Sequence, residues 1–237
     1  MKKRIVIFSG AGISKESGIN TFRDSDGTWE NYNVMDVATP QGWKKNKQLV
    51  MEFYNTRRDQ LKTVQPNKAH EICKQLEDTY HVTVVTQNVD DLHERAGSSN
   101  IVHLHGDLLT LRSSITNKIV VPWTETLTKG MKAPDGSQLR PNVVWFGEPL
   151  NINDMNAAFE AISQADAIIV VGTSRLVEPA ASMPELIQDE CLMVYVDPSD
   201  NDFTLPEWKQ PLYLKVTEPA TTGMVKAVEF IDARINN

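Results

Sequence analysis

Residues Ile5 to Ser14 read IVIFSGAGIS, an apolar run that breaks into a Gly-Ala-Gly turn and meets a Ser at an expected helix start. Such a segment folds as a β-strand feeding a helix, with backbone N–H groups and the helix N-terminus offered to a diphosphate. The spacing differs from the dehydrogenase fingerprint, because GxGxxG requires glycine where this chain has Lys15. The second strong strand, HVTVVTQN, ends in Thr86-Gln87-Asn88, with no acidic residue to hold an adenosine ribose. The turn points to a dinucleotide, while its surroundings weaken the hydride-transfer reading.

Six apolar runs read as strands: Arg4–Ser9, Val82–Thr86, Ile101–Leu104, Ala167–Gly172, Leu192–Val196 and Leu212–Val216. Most are continuous rather than alternating, as in strands covered by helices on both faces. Helical patterns at Asn67–Asp78, Met155–Gln164 and Thr222–Arg234 lie between or after them. The expected class is therefore α/β, a doubly wound, Rossmann-like parallel sheet. Two stretches break the alternation: Asp24–Gln65, which carries the helical LVMEFYNTRRDQL, and Asp107–Pro141, with short β-like pieces LLTLR and KIVVPW. They read as insertions forming a smaller lobe (24–65 and 107–141) against a main lobe of 1–23, 66–106 and 142–237. A ligand would lie in the crevice between the lobes.

Composition limits the alternatives. With 237 residues, 41% of them apolar, the chain can bury the core of one domain carrying insertions. A formal charge of −7 argues against a nucleic-acid partner. Met1-Lys2-Lys3-Arg4 before IVIF imitates a secretory signal, but the run is too short and lacks a cleavage site. No run is long enough to span a bilayer. Cys73 and Cys191 suggest neither a disulfide framework nor a metal knuckle, so a cytoplasmic location is the default; the sequence does not give the oligomeric state, and a monomer is taken as the default.

Strand ends are where the chemistry gathers. The first strand ends in GAGIS, the second in TQNVDD, the third in HLHG, the fourth in GTS and the fifth in VDPS. A parallel sheet brings all five to one edge. Gly10, Asn88, Asp90, His105, Thr173, Ser174 and Asp197 then surround one crevice. Gly10, Ala11 and Gly12 would let backbone approach a pyrophosphate. Ser14 can cap the helix or touch a phosphate. His105, at a strand end, can act as a base near neutral pH, whereas His103 reads as structural; His70, His81 and His93 have no comparable setting. Val50, Tyr54, Arg57 and Leu61 share one helix face, which places a guanidinium inside an apolar stripe. Arg57 needs a partner there: either an acidic residue in a structural salt bridge, or a substrate carboxylate with the Tyr54 hydroxyl as second donor.

The pieces GAGISKESGINTFR, TQNVDDLHERAG, HLHG, LRPNVVWFGE, GTSRLVEPAA and the VDPS strand end occur in order over nearly the whole chain. In these the chain resembles the sirtuins, NAD-dependent protein lysine deacylases. DVATP and FYNTRR resemble the class III branch, which removes acidic acyl groups such as succinyl and malonyl. The resemblance implies NAD as cosubstrate, acyl-lysine proteins or peptides as partners, and His105 as general base, with Asn88 also catalytic. In that mechanism the acyl oxygen attacks the ribose carbon bearing nicotinamide. His105 then deprotonates a ribose hydroxyl, and free lysine and O-acyl-ADP-ribose follow. NAD contacts are implied at Gly10, Ala11, Gly12, Ser14, Phe22, Arg23, Gln87, Asn88, Asp90, Gly172, Thr173, Ser174, Asp197 and Ala220. The acyl-lysine tunnel is implied at Tyr54, Arg57, Val144 and Ala38, the small residue that widens it. Phe146, Gly147 and Glu148 would pair with the substrate backbone as an added strand.

Three departures from the family pattern stand out. Asn20 replaces a usual proline and Asp197 a usual asparagine. The four zinc-binding cysteines are missing; Ser113 and Ser114 stand where the first pair is expected, and KAPDGS replaces the second. No zinc is expected, and the small lobe should be held by apolar packing through Leu111, Val120, Val121 and Trp123. Alternative functions are NAD hydrolysis, ADP-ribosyl transfer, or a non-catalytic NAD- or ADP-ribose-sensing module.

Overall fold

The structure is a computed structural model that describes residues 2–20, 28–29, 32–175, 177–199 and 211–236. In chain order the strands are β1 (Arg4–Ser9), β2 (Thr28–Trp29), β3 (Tyr32–Asn33), β4 (His81–Thr86), β5 (Ile101–His103), β6 (Gly106–Ser113), β7 (Val120–Pro122), β8 (Leu139–Val143), β9 (Ala167–Val171), β10 (Leu192–Val196) and β11 (Tyr213–Val216). The α-helices are α1 (Val34–Val37), α2 (Pro40–Lys45), α3 (Lys47–Leu61), α4 (Lys68–Leu76), α5 (Leu92–Arg95), α6 (Ile152–Ser163) and α7 (Ala220–Asp232). Six strands form one sheet in the order β11-β10-β9-β1-β4-β5, with every neighbouring pair parallel.

Successive side chains of a strand point to opposite faces, and here both faces are covered. Ile5, Ile7, Val84, Ile169 and Val194 pack with Ala69, Ile72, Met224 and Ile231 of α4 and α7. Val6, Phe8, Val85, Ile168 and Val170 pack on the other side with Ala158 and Ile162 of α6. α4 begins where Asn67 accepts from Ala69 N–H while His70 accepts from Asn67 N–H, a reciprocal cap. α7 lies close on β10 through Gly223, where a Cβ would meet Val196 Cγ1 at 2.3 Å.

The small lobe has its own core of Val50, Phe53, Tyr54 and Leu61 from α3, with Leu108, Leu111, Leu139 and Val143 from the antiparallel sheet β7-β6-β8. That sheet runs through Val143, two residues past the expected limit. The expected packing set needs correction. Leu111 is fully buried and Val121 and Trp123 pack partly, but Val120 is 44% exposed. Polar ties add to the apolar ones. The Ser113 hydroxyl donates to Asp135 Oδ2 at 2.6 Å and accepts N–H bonds from Ile115 and Thr116. Buried Arg58 donates to Leu108 O, Asn55 Oδ1 and Glu125 O, tying α3 to two distant segments. Among the described residues no group of His, Cys, Asp or Glu is arranged to hold a metal ion, and no helix is long and apolar enough to cross a membrane.

Candidate active site

A cavity of about 260 Å³ opens at the carboxyl edge of the parallel sheet, between the lobes. One wall is made of strand ends: Gly10, Ala11 and Gly12 after β1, Gln87, Asn88 and Asp90 after β4, His105 after β5, and Gly172, Thr173 and Ser174 after β9. The facing wall carries Ala38, Tyr54, Arg57, Val144, Phe146, Gly147 and Glu148. The walls are joined where Val144 N–H donates to His105 O at 2.9 Å. Three expected contacts do not line the cavity. Ser14 is buried beneath it, Asp197 accepts from the N–H and hydroxyl of Ser199, and Ala220 is buried at the start of α7. Phe22 and Arg23 lie outside the described residues.

The glycines bring two strand ends together. A Cβ on Gly12 would lie 2.6 Å from Gly172 Cα, and one on Gly10 would lie 2.8 Å from Gly172 O. They let two strand ends touch while the turn still lines the cavity. Gly10 N–H and Gly12 N–H accordingly donate to Val171 O and Gly172 O. The turn runs into a 3₁₀ helix (Ala11–Ser17) in which Ser14 is internal and not a cap. Its hydroxyl donates to Asp90 Oδ2 at 3.0 Å and accepts from Asn88 Nδ2 at 3.2 Å. Asp90 Oδ1 also accepts from Leu92 N–H, and burial raises this carboxyl to about 6 against those hydrogen bonds.

Two histidines clamp successive carbonyls of the loop after β4. His105 Nδ1 lies 3.0 Å from Gln87 O, and a carbonyl can only accept, so Nδ1 carries the proton. Burial lowers the imidazole below its usual range, and neutral His105 then has a lone pair at Nε2, the form a general base requires. His103 Nδ1 faces Asn88 O and its Nε2 faces Glu94 Oε1 at 2.7 Å, so both nitrogens meet acceptors. Burial opposes the charge, but the Glu94 carboxylate prevails and raises His103 to about 9.

Sequence reasoning passed over the layer below. His70 and His93 are buried with rings 5.0 Å apart, and His93 Nε2 lies 2.9 Å from the Ser9 hydroxyl. Burial holds His70 down at about 4 and His93 well below its usual value, so both are neutral. The only hint in the chain was the N-x-x-H cap at Asn67, which resembles a capping box.

On the facing wall, Arg57 Nη1 donates to Phe53 O at 2.7 Å and its guanidinium lies 3.3 Å above the Phe53 ring. The neighbouring Arg58 takes the structural ties, while Arg57 faces the cavity. The Tyr54 hydroxyl accepts from Trp145 Nε1–H at 3.0 Å. The expectation for Phe146–Glu148 is narrowed: Phe146 N–H already donates to Ala38 O and Glu148 N–H to Trp145 O, so neither is a donor for an added strand. The Glu148 carboxylate is held by Arg140, Arg112 and Trp145 N–H.

Known proteins are similar to this chain in sequence and in fold. Residues 10–179 match the Sir2 family. An NAD-dependent protein deacylase of Helicobacter pylori is 52% identical over 227 residues, covering 96% of this chain and 98% of that protein. A solved Sir2 homolog–NAD complex superposes with a TM-score of 0.83 at 36% identity, over 99% of this chain and 91% of that one. A solved Sir2–p53 peptide–NAD+ complex matches with a TM-score of 0.73 at 27% identity, over 96% and 93%. This chain belongs to the Sir2 family.

Proposed function

We propose that the chain is an NAD-dependent protein lysine deacylase that removes acidic acyl groups such as succinyl and malonyl, and acetyl as well. The observation carrying this reading is that one cavity has His105 on its strand-end wall and Arg57 with Tyr54 on the other. The polar strand-end wall fits NAD: Gln87, Asn88, Thr173 and Ser174 offer donors and acceptors beside the neutral imidazole. Gln87 Nε2 donates to Thr173 Oγ1 at 3.0 Å, fixing two strand ends against each other.

NAD, when bound, supplies the ribose that takes up the acyl group and the nicotinamide that leaves. His105 receives a proton at Nε2, while Nδ1–H keeps the ring oriented on Gln87 O. Asn88 is held from three sides, through Ser14, Thr86 and His103, and so stays placed beside the base. On the other wall, Tyr54 and Trp145 are 1% and 2% exposed and exclude water from the acyl chain. Arg57 gives an acidic acyl carboxylate a charged partner in an otherwise apolar surround.

The test incubates the protein with NAD, with and without a succinyl-lysine peptide. Nicotinamide release that requires the peptide and yields free lysine is expected. Release at equal rate without peptide would replace this reading with NAD hydrolysis, and no release would leave a binding module.

A further inference from the structure

The Tyr54 hydroxyl takes its bond from Trp145, 91 residues away in sequence. Indole Nε1–H can only donate, so Tyr54 is the acceptor and its own proton is free for another partner. A phenol that accepts one in-plane bond turns its proton away from that donor. Burial raises Tyr54 well above the usual tyrosine value, so the hydroxyl keeps that proton at working pH.

Trp145 is fixed from both sides. The Arg140 guanidinium lies 3.1 Å above its ring, and the Trp43 ring centroid is 5.7 Å away. Glu148 holds Arg140 at 2.6 Å and Trp145 N–H at 3.0 Å, so ring and backbone are anchored by the same carboxylate. Bonds of this kind remove rotamer freedom from a group that must meet a ligand in one orientation.

We propose that Trp145 is a positioning residue for acyl selectivity: its N–H orients the Tyr54 hydroxyl so that the phenol proton serves the substrate carboxylate beside Arg57. The chain Glu148–Arg140–Trp145–Tyr54 is the support of the acyl pocket. The inference rests on the acidic-acyl reading above. An acetyl group has no carboxylate to receive the proton, so its turnover does not depend on this orientation.

The experiment compares kcat/KM on succinyl- and acetyl-lysine peptides for wild type, Trp145→Phe, Tyr54→Phe and the double variant. Both substrates are measured in the same preparation, so their ratio is independent of the folded fraction. Losing the orienting bond should lower the succinyl-to-acetyl ratio about three- to tenfold in Trp145→Phe. In the Tyr54→Phe background the same change should move the ratio less than about twofold, because the group it acts through is gone. An unchanged ratio in Trp145→Phe, or an undiminished effect in the Tyr54→Phe background, overturns the inference. Arg57→Met separates the two levels. If it lowers both substrates equally, the acidic-acyl reading itself falls. If it lowers succinyl alone while Trp145→Phe leaves the ratio intact, only the role of Trp145 falls.

Discussion

The two walls of the cavity are built by different physics. On the strand-end wall, backbone sets position: parallel strands deliver their ends to one edge, and Gly10 and Gly12 meet Gly172 backbone to backbone. Side chains there, such as Gln87 on Thr173 and His105 on Gln87 O, fasten strand ends that the backbone has already brought together. On the facing wall, side chains set position across long gaps, as in Arg58 to Leu108 and Trp145 to Tyr54. Removing a side chain from the first wall should cost chemistry, whereas removing one from the second should cost stability or selectivity.

The largest effect expected from this contrast is at His105. His105→Ala should lower deacylation about a hundred- to ten-thousand-fold, while its unfolding free energy changes by about 1 kcal/mol or less. In wild type, activity should be lost only as pH falls below about 6.5, because burial holds the His105 imidazole below its usual range. Comparable losses of stability and turnover in His105→Ala would break the contrast.

Arg58→Met is the converse case. It removes the donor to Leu108 O, Asn55 Oδ1 and Glu125 O within a buried setting. Stability measured by denaturant should drop by about 2–4 kcal/mol. At temperatures where the variant stays folded, its succinyl-to-acetyl ratio should match wild type, since Arg57 is untouched.

The smallest effect concerns His103, which holds the Asn88 carbonyl behind the first wall and is tied through its side chain as the second wall is. Its imidazole is raised to about 9 in the fold. A raised pKa contributes stability that is full below pH 6.5 and lost as pH climbs through about 9. Glu94 is exposed enough for solvent to screen the pair, so wild type should lose only about 1–2 kcal/mol more than His103→Gln over that window. Parallel pH profiles for the two proteins would remove His103 from the frame.

The same contrast explains what could be read from the chain. The central strands of the large sheet were legible because burial on both faces writes itself as unbroken apolar runs, and Leu192–Val196 has the expected bounds; the edge strands β5 and β11 are only partly buried. α7 starts two residues earlier than its pattern, because Pro219 fixes the entry and leaves no polar cap to recognise. Convergence of Gly10, Asn88, Asp90, His105 and Thr173 on one cavity follows from parallel topology alone. Ser14 could not be placed from the chain, because its partners Asp90 and Asn88 come from another strand end. His70 and His93 were missed for the same reason: a histidine matched to a serine across the fold leaves no local pattern. The apolar stripe of α3 showed that Arg57 is buried, but the burial of Arg58 was not legible, because it depends on carbonyls in segments far along the chain.

The account turns on Arg57 serving the ligand rather than the fold. The direct measurement is kcat/KM on succinyl- and acetyl-lysine peptides for wild type and Arg57→Met. A loss of about 2–4 kcal/mol on the succinyl peptide, roughly 30- to 1,000-fold, with little change on acetyl, is the predicted result. Equal losses on both peptides would make Arg57 a structural residue and contradict it.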